Sequence, residues 1–212
     1  MGRKIQAQDW ANLNKYQNEN ITLKPLESGQ KRILFMGDSI TEGWPLLDFF
    51  AGKPYVNRGI SGQTTPQMLI RFRPDVIALK PAVVVLLAGI NDIAGNTGPS
   101  TLEMITDNIF SMAELAKANK IKVILCSVLP AFDFPWRPSS FPAEKVATLN
   151  KMIKKYADAN GILYLDYYSA MVNDQKGLKA DYSGDGVHPN KTGYEVMAPL
   201  VEKAIAKVLS KK

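Results

Sequence analysis

The chain has 212 residues, a formal net charge of +6, 46% hydrophobic residues and 22% charged residues. This length and composition suit a globular protein with one large core, so we expect residues 1–212 to form a single domain. The basic residues are scattered and adjacent at most in pairs, which argues against a nucleic-acid-binding surface. No apolar run is long enough to cross a membrane. The only cysteine, Cys126, excludes an internal disulfide.

The compartment and the oligomeric state are left open by the sequence. No signal peptide is recognisable, which favours a cytoplasmic protein. If a signal peptide had been removed ahead of Met1-Gly2, the protein would instead be periplasmic or secreted.

The first part of the chain is predicted to lead into a buried strand. The helical spacing of Trp10, Leu13 and Tyr16 predicts a short helix over residues 7–19, followed by a connector. The next apolar run is uninterrupted, as is typical of a parallel strand covered on both faces, and it predicts a strand over residues 32–37.

Two helices and a short strand are expected next. The predicted elements are a helix over about 40–50, a strand over 54–58 and a helix over about 66–73. Thr65 and Pro66 supply the second helix with an N-cap and a proline at its first position. Pro74 is expected to break or kink that helix.

The clearest strand signal in the chain is the apolar, β-branched run over residues 81–88, which predicts a central strand. Ser100 and Glu103 fit a capping box, and the helix that follows is predicted to reach about Asn119. A fourth strand is predicted over residues 120–129.

The last third of the chain contains a long loop and a polar segment. The loop, residues 130–142, is rich in aromatic side chains, and the polar, glycine-rich segment covers residues 181–190. The remaining predicted elements are a helix over 143–160, a strand over 162–165 and a helix over 191–209. Pro199 is expected to kink the last helix.

This alternation of five strands with helices predicts an α/β protein, a flavodoxin-like three-layer α/β/α sandwich around a five-stranded parallel sheet. Sites in such sheets lie at the carboxyl ends of the strands. Ser39, Gly62 and Asn91 each follow a predicted strand, so we expect all three at the same edge of the sheet.

Ser39 is either a helix cap or a nucleophile, and its residue type and position alone favour the cap. His188 is the only histidine in the chain, and Asp185 lies three residues before it. The carboxylate could therefore fix the imidazole tautomer and stabilise the imidazolium, although a turn residue between two glycines is the simpler reading of Asp185 alone. The order Ser, Asp, His is one of those found in catalytic triads.

Acyl transfer also needs N–H donors aimed at the developing oxyanion. The backbone N–H groups of Ser39 and Gly62 and the side-chain amide of Asn91 are candidates, because each follows a strand. Taken singly, Gly62 could be a plain turn glycine and Asn91 a loop amide. Together with Asp185 and His188, these donors favour a serine hydrolase.

Four segments of the chain resemble, in order, the four blocks of the SGNH, or GDSL, hydrolases. They are Gly37-Asp-Ser39, Gly59-Ile-Ser-Gly62, Gly89-Ile-Asn-Asp92 and Asp185-Gly-Val-His-Pro189. The chain is most similar to the branch that contains platelet-activating-factor acetylhydrolase catalytic subunits, lysophospholipase-like acylhydrolases and small carbohydrate acetylesterases. Ile40 stands where the family motif has leucine.

The resemblance implies a residue-by-residue assignment of roles. Ser39 would be the nucleophile, His188 the general base and acid, and Asp185 the residue that orients the imidazole. Ser39, Gly62 and Asn91 would form the oxyanion hole. The resemblance implies no metal ion and no other cofactor.

We therefore predict a serine ester hydrolase that acts through a covalent acyl-enzyme on a small-molecule or carbohydrate ester. Acetyl esters of a carbohydrate are the expected substrate, since the chain has no inserted lid domain; a lysophospholipid or thioester is the alternative. The candidate pocket residues are Asp38, Trp44, Phe134 and Trp136. Each of them could instead be an ordinary turn or packing residue. A flavodoxin-like binding protein and an inactive relative are the alternatives from other classes, and the chain lacks a dinucleotide or P-loop motif.

Overall fold

The computed structural model describes residues 9–210, and its centre is a five-stranded parallel sheet in the order β2-β1-β3-β4-β5. The strands are β1 Ile33–Gly37, β2 Tyr55–Gly59, β3 Val83–Leu87, β4 Lys122–Cys126 and β5 Leu163–Leu165. All five lie within a few residues of the strands predicted from the sequence. The prediction that residues 81–88 form the central strand is confirmed, because β3 lies in the middle of the sheet.

Helices cover both faces of this sheet, which confirms the three-layer α/β/α class. The helices are α1 Gln17–Thr22, α2 Ser39–Glu42, α3 Leu46–Phe49, α4 Thr65–Asp75, α5 Ile90–Ile93, α6 Leu102–Ala118, α7 Ala143–Ala159, α8 Tyr168–Met171 and α9 Lys191–Ser210. α4, α6 and α7 pack side by side on one face, and α9 packs on β3, β4 and β5 on the other. None of the helices within residues 9–210 is long and apolar enough to span a membrane.

The ends of three adjoining strands lie level with one another. Gly37, the last residue of β1, pairs with Gly59 of β2 and with Leu87 of β3. Every residue of β1 and β3 is buried, as expected for strands covered on both faces. A Cβ atom at Gly59 would lie 2.1 Å from the backbone N of Glu42, so glycine is needed for α2 to approach the end of β2. The loops that follow these three strands therefore open at one edge of the sheet.

The helix predicted over residues 7–19 is wrong for residues 9–16, whereas residues 17–19 are helical; its first two residues lie outside the described range. Turns precede α1, which begins only at Gln17. The Asp9 carboxylate accepts a hydrogen bond from the N–H of Leu13 at 2.8 Å, and Asn12 has a left-handed φ of 56°. The Asp9 side chain thus takes the Leu13 N–H that a helix would have bonded to a backbone carbonyl, and the left-handed conformation of Asn12 interrupts the helix.

One of the two proline-containing segments differs from its prediction. The helix expected over 40–50 is divided into α2 and α3, with Pro45 at the N-cap of α3. α4 ends at Asp75, one residue after Pro74, where a break or kink was expected. The guanidinium of Arg71 lies 3.0 Å from the Asp75 carboxylate, and both side chains are buried. This ion pair spans the last turn of α4.

The remaining boundaries differ by small amounts. Thr64 rather than Thr65 caps α4, and Thr101 rather than Ser100 caps α6, where its side chain accepts a hydrogen bond from the N–H of Met104 at 3.2 Å. α9 runs from Lys191 to Ser210 with Pro199 inside it.

Candidate active site

Ser39 follows β1 and is the first residue of α2. Asp38 caps this helix, because its Oδ1 accepts a hydrogen bond from the N–H of Ile40 at 3.0 Å. The capping role that the sequence left open for Ser39 is therefore filled by its neighbour. The Ser39 hydroxyl is directed instead to His188, with Oγ 2.9 Å from Nε2.

His188 lies between Ser39 and Asp185 in a chain of hydrogen bonds. Its Nδ1 is 2.6 Å from Oδ2 of Asp185, whose Oδ1 accepts hydrogen bonds from the N–H groups of Val187 and His188 at 2.9 and 2.8 Å. Burial raises the pKa of Asp185, but hydrogen bonds from the His188 ring and from these N–H groups outweigh it and lower the pKa to about 2. The carboxylate is therefore ionised at neutral pH. It favours the tautomer with the proton on Nδ1, which leaves Nε2 free to accept the Ser39 proton.

The loop that carries His188 is held together by Ser183. The Ser183 Oγ accepts a hydrogen bond from the N–H of Gly186 at 2.9 Å and donates to the carbonyl oxygen of His188 at 2.7 Å. A backbone bridge also pairs Ser183 with Pro189, just ahead of α9. These contacts close the loop on itself and restrict the position of the imidazole.

The three predicted oxyanion donors follow the three level strand ends. Ser39 follows β1, Gly62 follows β2, and Asn91 lies in α5, which follows β3. No residue of the described chain accepts a hydrogen bond from the N–H of Ser39 or of Gly62. Gly62 has a φ of 77°, which is the left-handed region where glycine is favoured. Two backbone donors are thus available to a ligand.

The amide of Asn91 is held in one orientation by its neighbours. Its Nδ2 donates to the carbonyl oxygen of Gln63 at 3.1 Å, and its Oδ1 accepts from Nδ2 of Asn96 at 3.0 Å. Asn96 Nδ2 also donates to the carbonyl oxygen of Gly62 at 3.2 Å. Because a carbonyl oxygen can only accept, both amides have a defined orientation. The second N–H of Asn91 Nδ2 has no acceptor within residues 9–210.

Asp38, a candidate pocket residue, lies beneath the site and has only 1% of its surface exposed. Its Oδ2 has no hydrogen-bond partner among the described residues. Burial raises the pKa of Asp38 to about 7, although the N–H of Ile40 and the nearby His188 ring act in the opposite direction. Asp38 therefore belongs to the interior beneath the site and not to an exposed pocket surface.

The three candidate aromatic residues occupy different surroundings. The Trp136 ring is 45% exposed, and its centroid lies 5.9 Å from that of the His188 ring. Phe134 is buried behind it, stacked at 5.1 Å. Trp44 instead lies in the core, where its ring stacks on that of Tyr194 at 5.2 Å. It is therefore a packing residue, which was the alternative to a pocket residue. Only Trp136 presents a ring to solvent beside His188.

Three residues that help to build the site were not recognised from the sequence. Asn96 orients Asn91, and Ser183 holds the His188 loop. The buried carboxylate of Asp92 accepts hydrogen bonds from the N–H and the hydroxyl of Thr65 at the start of α4. All three lie in or near motif blocks, but residue type alone does not separate them from ordinary loop residues.

Known proteins resemble this chain over every segment that carries these residues. A model of the GDSL-like lipase/acylhydrolase family matches residues 35–196. A solved structure of a Bacteroides fragilis protein assigned as an acylhydrolase superimposes with a TM-score of 0.92 at 51% identity, covering 96% of this chain and 100% of that one. An acetylxylan esterase of Xylanibacter ruminicola is 27% identical over 82% of this chain, which spans only 43% of that enzyme. Esterase TesA of Pseudomonas aeruginosa is 25% identical over 80% of this chain and 85% of its own length.

Replacing Asp38 with asparagine is expected to produce a pH-dependent difference in stability. An aspartate in an unfolded chain has a pKa of about 3.9, below the value of about 7 at Asp38. Between these values the unfolded state has lost a proton that the folded state retains, so this carboxyl makes the wild-type protein less stable as pH rises. In urea titrations, the free energy of unfolding of Asp38→Asn relative to wild type should therefore increase from about pH 4.5 to about pH 7.

If the free energy of unfolding of Asp38→Asn relative to wild type stayed constant or decreased over this pH range, the raised pKa of Asp38 would be contradicted. Asp133→Asn is the matched control. Hydrogen bonds, first from the N–H of Ser139, lower the pKa of Asp133, so its contribution to stability is complete above the unfolded pKa. The relative stability of Asp133→Asn should therefore not change across the same pH window.

Proposed function

The chain belongs to the GDSL-like lipase/acylhydrolase family of ester hydrolases, and on this basis we propose that it acts through a Ser39–His188–Asp185 triad and a covalent acyl-enzyme. The observation that carries the proposal is the unbroken hydrogen-bond chain, with 2.9 Å from Ser39 Oγ to His188 Nε2 and 2.6 Å from His188 Nδ1 to Asp185 Oδ2. These distances are short enough for direct proton transfer between the serine and the imidazole.

Formation of the acyl-enzyme begins with attack of Ser39 Oγ on the ester carbonyl carbon, while His188 Nε2 takes the hydroxyl proton. The imidazolium that results is stabilised by the ionised carboxylate of Asp185. His188 then donates the proton to the alcohol oxygen as the C–O bond of the ester breaks. The alcohol leaves, and the acyl group remains bound to Ser39.

Hydrolysis of the acyl-enzyme repeats these steps with water. His188 removes a proton from water as the water oxygen attacks the acyl carbon, and returns the proton to Ser39 Oγ as the acid is released. In both steps negative charge develops on the carbonyl oxygen. The free N–H groups of Ser39 and Gly62 and the second N–H of Asn91 are the proposed donors to that oxygen.

We propose acetyl esters of a carbohydrate as the substrate. The similarity to an acetylxylan esterase over 82% of this chain supports this choice. A lysophospholipid or thioester with a longer acyl chain is the second candidate, since the similarity to esterase TesA supports an ester hydrolase without favouring a carbohydrate. A series of p-nitrophenyl esters separates the two, because an acetyl specialist should lose activity as the acyl chain lengthens.

Ser39→Ala should lower kcat for p-nitrophenyl acetate by several orders of magnitude, because the variant has no hydroxyl to acylate. Initial rates measured with matched protein concentrations, together with circular dichroism to verify folding, provide the test. Ser169→Ala, which removes an exposed hydroxyl on α8, is the control and should retain wild-type activity. A folded Ser39→Ala protein with wild-type kcat would contradict the proposed mechanism.

Asn96→Asp should lower kcat with little change in KM. A carboxylate cannot donate a hydrogen bond, and it would repel both Asn91 Oδ1 and the carbonyl oxygen of Gly62, which Asn96 now binds. Loss of one oxyanion donor reduces kcat by about 10²–10³, so a misoriented Asn91 should cost about tenfold or more.

Thr97→Asp is the control for Asn96→Asp, since it adds the same charge to the same loop and leaves the Asn96 amide in place. It should affect kcat far less than Asn96→Asp does. Equal kcat values for Asn96→Asp and wild type would show that Asn96 does not position the donors.

A further inference from the structure

The loop over residues 130–142 presents three aromatic rings to solvent, and one of them, that of Trp136, lies beside His188. Phe132, Trp136 and Phe141 are 48%, 45% and 61% exposed. Large apolar rings exposed together on one loop are candidates for ligand contact. The ring of Phe132 packs edge-on against that of Phe141 at 6.1 Å, and Trp136 stacks on the buried Phe134. The rings are thus supported by one another.

The loop is held rigidly although it has no helix or strand. The Asp133 carboxylate accepts hydrogen bonds from the N–H groups of Phe134, Ser139 and Ser140 at 2.9, 2.6 and 2.9 Å. The Arg137 guanidinium donates to the carbonyl oxygen of Ala94, just after α5, and so ties the loop to the neighbouring strand end. A ligand that binds these rings would therefore not have to order the loop.

A cleft of about 370 Å³ lies between this loop and the segment that carries Asp185. Its lining includes Phe132, Phe134 and Pro135 from the loop and Asn173, Leu178 and Asp185 from later in the chain. The only charged groups in this lining are the carboxylates of Asp133 and Asp185, and no lysine or arginine of the described chain lines it. A phosphate group would be repelled there, whereas a neutral ligand would not.

The position of the rings identifies which part of the substrate they would meet. In the proposed mechanism His188 gives its proton to the alcohol oxygen, so groups beside His188 contact the alcohol portion of the ester rather than the acyl portion. Trp136 is such a group. A flat ring surface with nearby amide and carboxylate groups suits a pyranose, which has an apolar C–H face and hydroxyl groups at its edge.

We infer that Trp136 and the adjoining cleft form a subsite for the neutral saccharide that carries the acetyl ester, with Trp136 stacked on the sugar ring next to the ester and the cleft holding a further sugar unit. This inference rests on the proposed function, because the proposed mechanism is what places the alcohol portion of the ester beside His188. The binding it describes does not require catalysis, because an unesterified oligosaccharide presents the same sugar rings. The two proposals can therefore fail separately.

The test is calorimetric titration of the full chain with an unesterified xylo-oligosaccharide of four units. Wild type should bind it, and Trp136→Ala should weaken binding by about tenfold or more, because the ring surface is lost. Trp136→Phe should restore most of the affinity. Phe132→Ala should weaken binding of the four-unit sugar but not of the two-unit sugar, which does not reach the cleft. Trp10→Ala, which removes a similarly exposed ring outside the cleft, should bind like wild type.

Kinetics provide the second readout. Trp136→Ala should raise KM for an acetylated xylo-oligosaccharide by about tenfold or more with a smaller change in kcat, whereas loss of a ring that acts only by supporting His188 would lower kcat and leave KM nearly unchanged. Absence of saccharide binding by wild type, or equal binding by Trp136→Ala, would overturn the subsite. Stronger binding of glycerophosphocholine than of the oligosaccharide would also overturn it, because the ligand would then be a phospholipid headgroup.

Discussion

The buried guanidinium of Arg71 is the constraint on which the geometry of the site depends. It donates to the carbonyl oxygen of Gly37 at 3.0 Å, to Oε1 of Gln63 at 2.5 Å and to the Asp75 carboxylate at 3.0 Å. A fully buried charge is tolerated only where its partners are fixed, because leaving it unpaired costs about 3–5 kcal/mol. Arg71 thereby joins the end of the strand that precedes Ser39 to the loop that contains Gly62.

The same connection extends to the third strand end. The backbone carbonyl of Gln63 accepts the hydrogen bond from Asn91, and Asn96 returns a hydrogen bond to Gly62. The proposed oxyanion donors are therefore arranged before any ligand binds, which is the property that makes such donors effective in catalysis. His188 comes from a separate, self-closed loop at the start of α9, so the proposed base and the proposed donors are supported independently.

The fold and the motif residues were predictable from sequence because their signals are local. Uninterrupted apolar runs marked β1 and β3, and the paired Asp185 and His188 marked the proposed base. The errors came from contacts that a residue pattern does not contain. In the segment predicted as the first helix, the Asp9 side chain accepts the hydrogen bond of the Leu13 N–H that a helix would have used. Asn96 was missed for the same reason, since its role exists only where two loops meet. The substrate was not predictable to the same degree. The proposed contacts to the alcohol portion of the ester come from aromatic rings of the loop over residues 130–142, and the fold of that loop decides which rings lie together.

The central claim is that Ser39 is a nucleophile activated by His188, and covalent labelling tests it most directly. A fluorophosphonate probe reacts with an activated serine and not with an ordinary surface hydroxyl. Peptide mass spectrometry of the labelled protein should find one phosphonyl group, on Ser39, and labelling should be lost in His188→Ala. Labelling at another residue, or undiminished labelling of Ser39 in His188→Ala, would contradict the account.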